Sequence, residues 1–298
     1  MSQPRQVLPG TTYFVSRRCA QRQFLLRPSR KVNRIFRFCL AVAAQRTGIQ
    51  LHAYCVLSNH YHLVLTDPGG TLPEFMHWFN EYVAKSINAL LGRWEAVWAP
   101  GSYSAVRLVD SQAVLKELVY VYTNPVDAGL VRRARDWPGA LSLPAHMTAP
   151  PMEIRRTAGF FRDKGPVPSS ALLELSIPPV LIREFDNPTQ RLERMVRERE
   201  KELQQRAQTQ GLRFLGRRKV LRQSPWGRPS DAEPRRGLNP RVACRDKWKR
   251  VETLQRLKEF LADYREARQR FLCGETDACF PAGTYWLRVR LGVLCSGP

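Results

Sequence analysis

At 298 residues the chain can bury a sizeable core and has room for one full domain plus a second unit. Its 48 Lys and Arg against 26 Asp and Glu leave a formal net charge of +22, which points to a polyanionic partner, because each neutralised phosphate releases condensed counterions. No apolar run is long enough to span a bilayer and no basic amphipathic anchor suggests a membrane surface, so nucleic acid is the favoured partner.

The N-terminal "MSQPRQVLPGTTYFV" lacks the apolar core of a secretory signal, and a cytoplasmic protein is expected. Seven cysteines, odd in number and without C-x-x-C spacing, indicate reduced thiols rather than a disulfide framework or a zinc ribbon. "TTYFVSRRC" (Thr11 to Cys19) is β-branched and aromatic and reads as a strand. From Ser29 to Gly48, apolar residues spaced by three and four predict an amphipathic helix with Ser29 as its N-cap. "QLHAYCVL" and "HYHLVLTD" are two strands joined by Ser58 and Asn59, a length that suits a tight hairpin. Leu72 to Gly92 predicts a second long helix, Ser102 to Val109 a strand, and Asp110 to Asn124 a third helix that Pro125 is expected to end. The order predicts an α+β fold: a ferredoxin-like antiparallel sheet with helices on one face, βαββαβ plus a catalytic helix.

Two of the five histidines, His60 and His62, sit one residue apart on the second hairpin strand, where alternation sends both imidazoles to one face. That is half of a metal site. Tyr120 and Asn124 lie four residues apart and share one face of the third helix, so a phenol and an amide oxygen could meet the histidines as nucleophile and third ligand. Tyr122 is the rival nucleophile, disfavoured because its plus-four neighbour, Val126, lies beyond Pro125. His52 and His77 have no such company and read as ordinary core or surface residues. A phenol with a pKa near 10 is about one part in a thousand ionised at pH 7, a deficit of roughly 4 kcal/mol that the site must offset.

With "SNHYHLVL", "YVYTNPVDAGLV" and "DWPGAL" in this order, residues 8 to 145 resemble the REP-associated tyrosine transposase group of the HUH-superfamily single-tyrosine transposases. The resemblance implies that His60, His62 and Asn124 bind a divalent metal, Mg2+ or Mn2+, and that Tyr120 attacks a phosphodiester to leave a 5′-phosphotyrosine link and a free 3′-hydroxyl. It implies single-stranded or hairpin DNA from repetitive extragenic palindromes as substrate, in a bacterial cytoplasm and near the nucleoid. Arg17, Arg18, Lys85, Arg93, Arg132 and Arg133 are candidates to track phosphates. One departure stands out: Ser104 follows Tyr103 in "WAPGSYSAV", where the group carries an acidic residue. That favours the alternative reading, a catalytically silent, domesticated DNA-binding protein on the same fold. An RNA-binding module is disfavoured by the lack of an RNP-like run.

The resulting organisation is a catalytic domain over residues 1–145, a proline-rich linker over 146–184, and a basic, mostly helical accessory region over 185–298 for DNA recognition; monomer and homodimer both remain open. More than half of the excess positive charge lies beyond residue 145. Within the accessory region, residues 185–210 read as a charged helix and Gly211 to Arg241 as a basic, proline-punctuated arm. "KWKRVETLQRLKEFLADYREARQRFL" is an amphipathic helix with Val251, Leu254, Leu257, Leu261 and Tyr264 on its packed stripe, and "FPAGTYWLRVRLGV" a closing strand.

Overall fold

The computed structural model describes residues 3–161, 165–230 and 240–297. Its centre is a sheet built from β1 (Thr11–Arg18), β2 (Gln50–Val56), β3 (His60–Asp67) and β4 (Ser104–Leu108) in the order β2-β3-β1-β4, with every neighbouring pair antiparallel. A fifth strand, β7 (Val242–Ala243), adds to the β4 edge in parallel, which the sequence did not suggest. The strand order and directions are those of a ferredoxin-like α+β sandwich.

Two helices, α1 (Arg30–Thr47) and α2 (Leu72–Leu91), pack on one face of the sheet. The Ser29 hydroxyl caps α1 by accepting from the Val32 amide at 3.1 Å, and Gly48 ends the helix at φ 70°, a left-handed turn that a β-carbon disfavours. For α2 the buried Asp67 carboxylate, at the end of β3, takes the capping role by accepting from the Thr71 and Leu72 amides, each at 2.8 Å. Tyr61, Leu63 and Leu65 of β3 face these helices. Their alternates along the strand face the other way, onto α3 (Ser111–Asp127).

One expectation about α3 needs correction. Pro125 does not end the helix: the last turn runs to Asp127, and the amides of Ala128 and Leu130 still find the carbonyls of Asn124 and Pro125. So near a C-terminus the ring forfeits one intrahelical bond only, and burial of Val126 holds the turn. The interval 146–184, read as a linker with short structured pieces, holds the antiparallel strands β5 (Met152–Arg155) and β6 (Ser170–Leu173), packed on α1, then α4 (Pro179–Glu184); Ile154, Ala171 and Leu173 join the α1–α2 core. Short β segments with sparse apolar residues do not announce themselves until a partner surface is present.

The charged helix α5 (Pro188–Thr209) lies on α3 through Leu192, Val196 and Leu203, and the short α6 (Arg217–Arg222) adds Val220 to the same core. Residues 231–239 of the expected basic arm lie outside the described residues. In α7 (Lys247–Leu272) the packed stripe is displaced: Phe260, Tyr264, Ala267 and Phe271 turn inward while Val251 and Leu254 are exposed. The closing segment is not a strand; Trp286–Leu291 forms α8, flanked by a single bridge between Phe280 and Cys295. No helix among the described residues is long and apolar enough to cross a membrane.

The "DWPGAL" stretch closes the β2 edge. Trp137 donates from its indole to the Val56 carbonyl at 3.0 Å, and the Val56 amide donates to Ala140 at 2.8 Å. A β-carbon on Gly139 would collide with the Trp137 indole and sit 2.9 Å from the Val56 carbonyl oxygen. Gly139→Ala is therefore expected to cost about 2 kcal/mol in urea unfolding, through forced displacement of the indole. His52 occupies the bulge in β2, fully buried between the Ser176 carbonyl and the Thr66 hydroxyl at 2.7 and 2.8 Å. Burial pushes its pKa down to about 4, against a smaller upward pull from the Ser176 carbonyl. A depressed pKa contributes stability above pH 6.5 that is lost as the pH falls toward 4; unfolding at pH 7 and 4.5 should show wild type losing about 2 kcal/mol more than His52→Gln.

Candidate active site

The β1–β3 register sets Ser16 opposite His62 and Arg18 opposite His60, while Cys55 of β2 flanks His62 on the other side. Period-two alternation then gives Phe14, Arg18, His60 and His62 one face of the sheet, the face that α3 covers. The two imidazoles lie 4.8 Å apart between ring centroids, nearly perpendicular. Phe14 stacks on His62 at 5.2 Å, and Tyr120 meets His62 edge-on, also at 5.2 Å. The hairpin histidines and the helix phenol are thus in one cluster.

Polar satisfaction within this cluster is incomplete. His60 Nδ1 is 2.7 Å from the Asn59 side-chain oxygen, an orientation that leaves its other nitrogen to face elsewhere. His62 is 6% exposed, and neither of its ring nitrogens has a hydrogen-bond partner; the Asn124 Oδ1 is buried and equally unpartnered. A buried polar atom with no partner costs about 1–3 kcal/mol, so two on His62 and one on the α3 stripe that also carries Tyr120 call for an explanation. Burial, then His60, then Arg18 hold the His62 pKa well below the usual imidazole range. The ring is therefore neutral, the form that offers a lone pair to a cation.

Two imidazoles and an amide oxygen are a donor set that fits a divalent cation with solvent or substrate oxygens completing the shell. No third His, Cys, Asp or Glu joins them among the described residues.

Tyr120 is half-buried, and its pKa is raised, first by burial and then by the charges of Asp127, Glu117 and Cys55, while Asn124 pulls it down. Glu117, Tyr120, Asn124 and Asp127 recur at spacings of three, four and three and so form one stripe along α3. Asp127 is neutralised from α5, by Arg206 at 2.6 Å and Arg199 at 3.7 Å. Glu117 is not held in such a pair, and burial raises its pKa. The sequence reading missed Glu117, although its place three residues before Tyr120 was visible; Phe14 could not be found without the strand register.

The rival Tyr122 is fully buried and points away, its hydroxyl 3.5 Å from the His52 carbonyl. Since α3 continues past Pro125, it is this orientation that separates the two tyrosines, not the lack of a plus-four position. Of the candidate phosphate contacts, Arg18 shares the histidine face, and Arg132 and Arg133 are exposed just beyond α3. Arg17 emerges on the opposite face of β1, with its guanidinium 5.5 Å from the Trp98 ring. Lys85 sits on α2 in an ion pair with Glu81, and Arg93 lies between Glu95 and the Trp226 ring, so neither joins the cluster. Likewise His77 is on α2, 3.4 Å from Glu81.

Because the two His62 nitrogens lose solvation without gaining partners, His62→Leu is expected to raise stability by about 1–3 kcal/mol in metal-free urea unfolding. A measured loss instead would show that those nitrogens are satisfied in solution.

No protein-family model matches the chain, and no curated protein matches it. Among solved structures, it is similar to a REP-associated tyrosine transposase bound to a REP hairpin, at 22% identity over 47% of this chain and 81% of that one, with a TM-score of 0.37. A candidate transposase of Deinococcus radiodurans is similar at 19% identity over 36% of this chain and 85% of that one, with a TM-score of 0.28.

Proposed function

We propose that the protein is a tyrosine-nucleophile DNA strand transferase acting on single-stranded or hairpin DNA with a divalent cation. The single observation that carries this reading is the meeting of Tyr120 with His62, whose two ring nitrogens, like the Asn124 side-chain oxygen, are buried without partners. The choice of DNA follows from the +22 charge and from the sequence resemblance.

The residues divide the work as follows. His60, His62 and Asn124 would hold Mg2+ or Mn2+, which when bound supplies charge stabilisation for phosphoryl oxygens. Phe14 fixes the plane of the His62 ring by stacking. Tyr120 Oη attacks the phosphorus, forming the phosphotyrosine bond as the bond to the 3′-oxygen breaks; the departing 3′-oxygen takes a proton and leaves as a hydroxyl. Glu117, on the same helical stripe and raised in pKa by burial, takes the phenolic proton. Rejoining reverses these steps with a second 3′-hydroxyl, and no external energy source is required because the covalent link conserves the phosphodiester.

A second reading is a silent DNA-binding protein on the same scaffold, favoured by Ser104 standing where a carboxylate is expected after Tyr103. Glu117 offers a carboxylate from a different element. One experiment separates the two: labelled single-stranded oligonucleotides with Mn2+ should yield a denaturant-resistant adduct that disappears in Tyr120→Phe and accumulates about 10–100-fold more slowly in Glu117→Gln. No adduct with any oligonucleotide would leave the silent reading. Independently of activity, Mn2+ should raise the unfolding temperature of wild type but not of His60→Ala/His62→Ala, since binding to the native state alone adds RT ln(1 + [L]/Kd) to stability.

A further inference from the structure

A cleft of about 1270 Å3 lies on the sheet face opposite Tyr120, at the β4 edge that α1 and α2 leave uncovered. Its floor is β1 and β4, one wall is α2, and the other is α7 with the start of α8. Six arginines line it: Arg5, Arg17, Arg107, Arg241, Arg265 and Arg268. Against them stands one lining carboxylate among the described residues, Glu81, already engaged by Lys85.

The cationic groups are arranged rather than scattered. Arg17 Nε is buried at the cleft with no hydrogen-bond partner, and its guanidinium pKa is lowered by desolvation. Arg5 stacks over Tyr103 at 4.2 Å while donating to the Tyr103 carbonyl at 2.9 Å, and Arg241 donates to the Pro4 carbonyl at 2.9 Å; both are positioned through one end of the fork. On α7, Arg265 and Arg268 share the cleft side with Leu257 and Tyr264, while Glu252, Glu259 and Glu266 recur every seven residues along the outward side. The helix therefore turns its positive side to the cleft. Tyr103 and Trp286 add aromatic surface, with Trp286 43% exposed.

Spaced cations beside an exposed ring are what a single strand needs: phosphates pair with the arginines and an unpaired base stacks on Trp286, without sequence readout. Arg17 lines the cleft near the C-terminal end of β1. Arg17 and Arg18 are consecutive on β1 and emerge on opposite sides of the sheet, Arg18 opposite His60. We propose that this cleft binds the single-stranded flank of the DNA whose neighbouring segment reaches Tyr120 around the Arg17–Arg18 end of β1. The proposal rests on the strand-transferase reading for the identity of the nucleic acid as DNA, and adds where the uncleaved strand lies.

The test uses the full chain and fluorescein-labelled oligo(dT) of about 20 nucleotides, with a duplex of equal length as comparison, read by anisotropy across a salt series. Arg265→Glu/Arg268→Glu, both exposed on α7, should weaken oligo(dT) binding by about tenfold or more and flatten its salt slope by about two, with duplex binding changed less than about twofold. Trp286→Ala should weaken oligo(dT) binding several-fold without changing that slope. An identical charge change away from the cleft, Arg183→Glu/Arg194→Glu, should alter oligo(dT) binding less than about twofold. Equal losses in the two charge-reversal pairs, equal losses for oligo(dT) and duplex, or no loss would each overturn the proposal. Adduct formation by the wild type, measured on the same preparation, scores the strand-transferase reading separately: selective binding without an adduct removes that reading and leaves the cleft, and an adduct without selective binding does the reverse.

Discussion

The antiparallel pairing of β1 with β3 is the constraint on which the rest depends. With Ser16 against His62 and Arg18 against His60, both imidazoles and Phe14 fall on the face that α3 covers. A slip of one residue would turn every side chain of β3 over, sending the histidines into the α1–α2 core and Tyr61, Leu63 and Leu65 out of it. The register is held from the other side by apolar burial: Tyr61 is fully buried, its hydroxyl donating to Asn80 Oδ1 at 2.7 Å, and Trp98 donates to the Asn80 carbonyl at 2.9 Å. The core on one face thus determines the chemistry available on the other.

That chemistry is held at a cost in stability. Partnerless nitrogens on His62 and a partnerless oxygen on Asn124 are offset by burial, with Phe14 stacked on the His62 ring and Tyr120 meeting it edge-on. The same enclosure lowers the imidazole pKa of His62 and raises that of the Tyr120 phenol, so both groups are held toward their neutral forms. Both shifts have one dominant cause, burial, which acts in opposite directions on a base that would gain charge and on an acid that would lose a proton.

The C-terminal half is bound into this arrangement rather than appended to it. Asp110 joins the two: one carboxylate oxygen accepts from the Ala113 amide at 2.7 Å and caps α3, and the other accepts from the Arg245 and Asp246 amides at 2.6 and 2.9 Å, just before α7. A single side chain therefore ties the helix of the candidate nucleophile to the helix that walls the basic cleft. α5 completes the embrace from the opposite side by packing on α3 and neutralising Asp127.

Sequence by itself determined the elements of the first half and the face-sharing within each of them. Period-two alternation placed His60 with His62, helical spacing placed Tyr120 with Asn124, and Ser29 and Asp110 marked helix starts that the structure keeps. These are local, and local periodicity carries them. Tertiary structure alone decided which element faces which: that Phe14 lies under His62, that Tyr122 turns toward the His52 carbonyl, and that Arg17 lines the cleft between α2 and α7 while Arg18 stands opposite His60. It also decided the fate of weak signals, holding a helical turn past Pro125, pairing β5 with β6 where proline-rich sequence suggested a linker with short structured pieces, and rotating the packed stripe of α7 from Val251 and Leu254 to Phe260 and Ala267. In each of these cases the deciding energy comes from burial against residues far away along the chain, which no window of neighbouring residues contains.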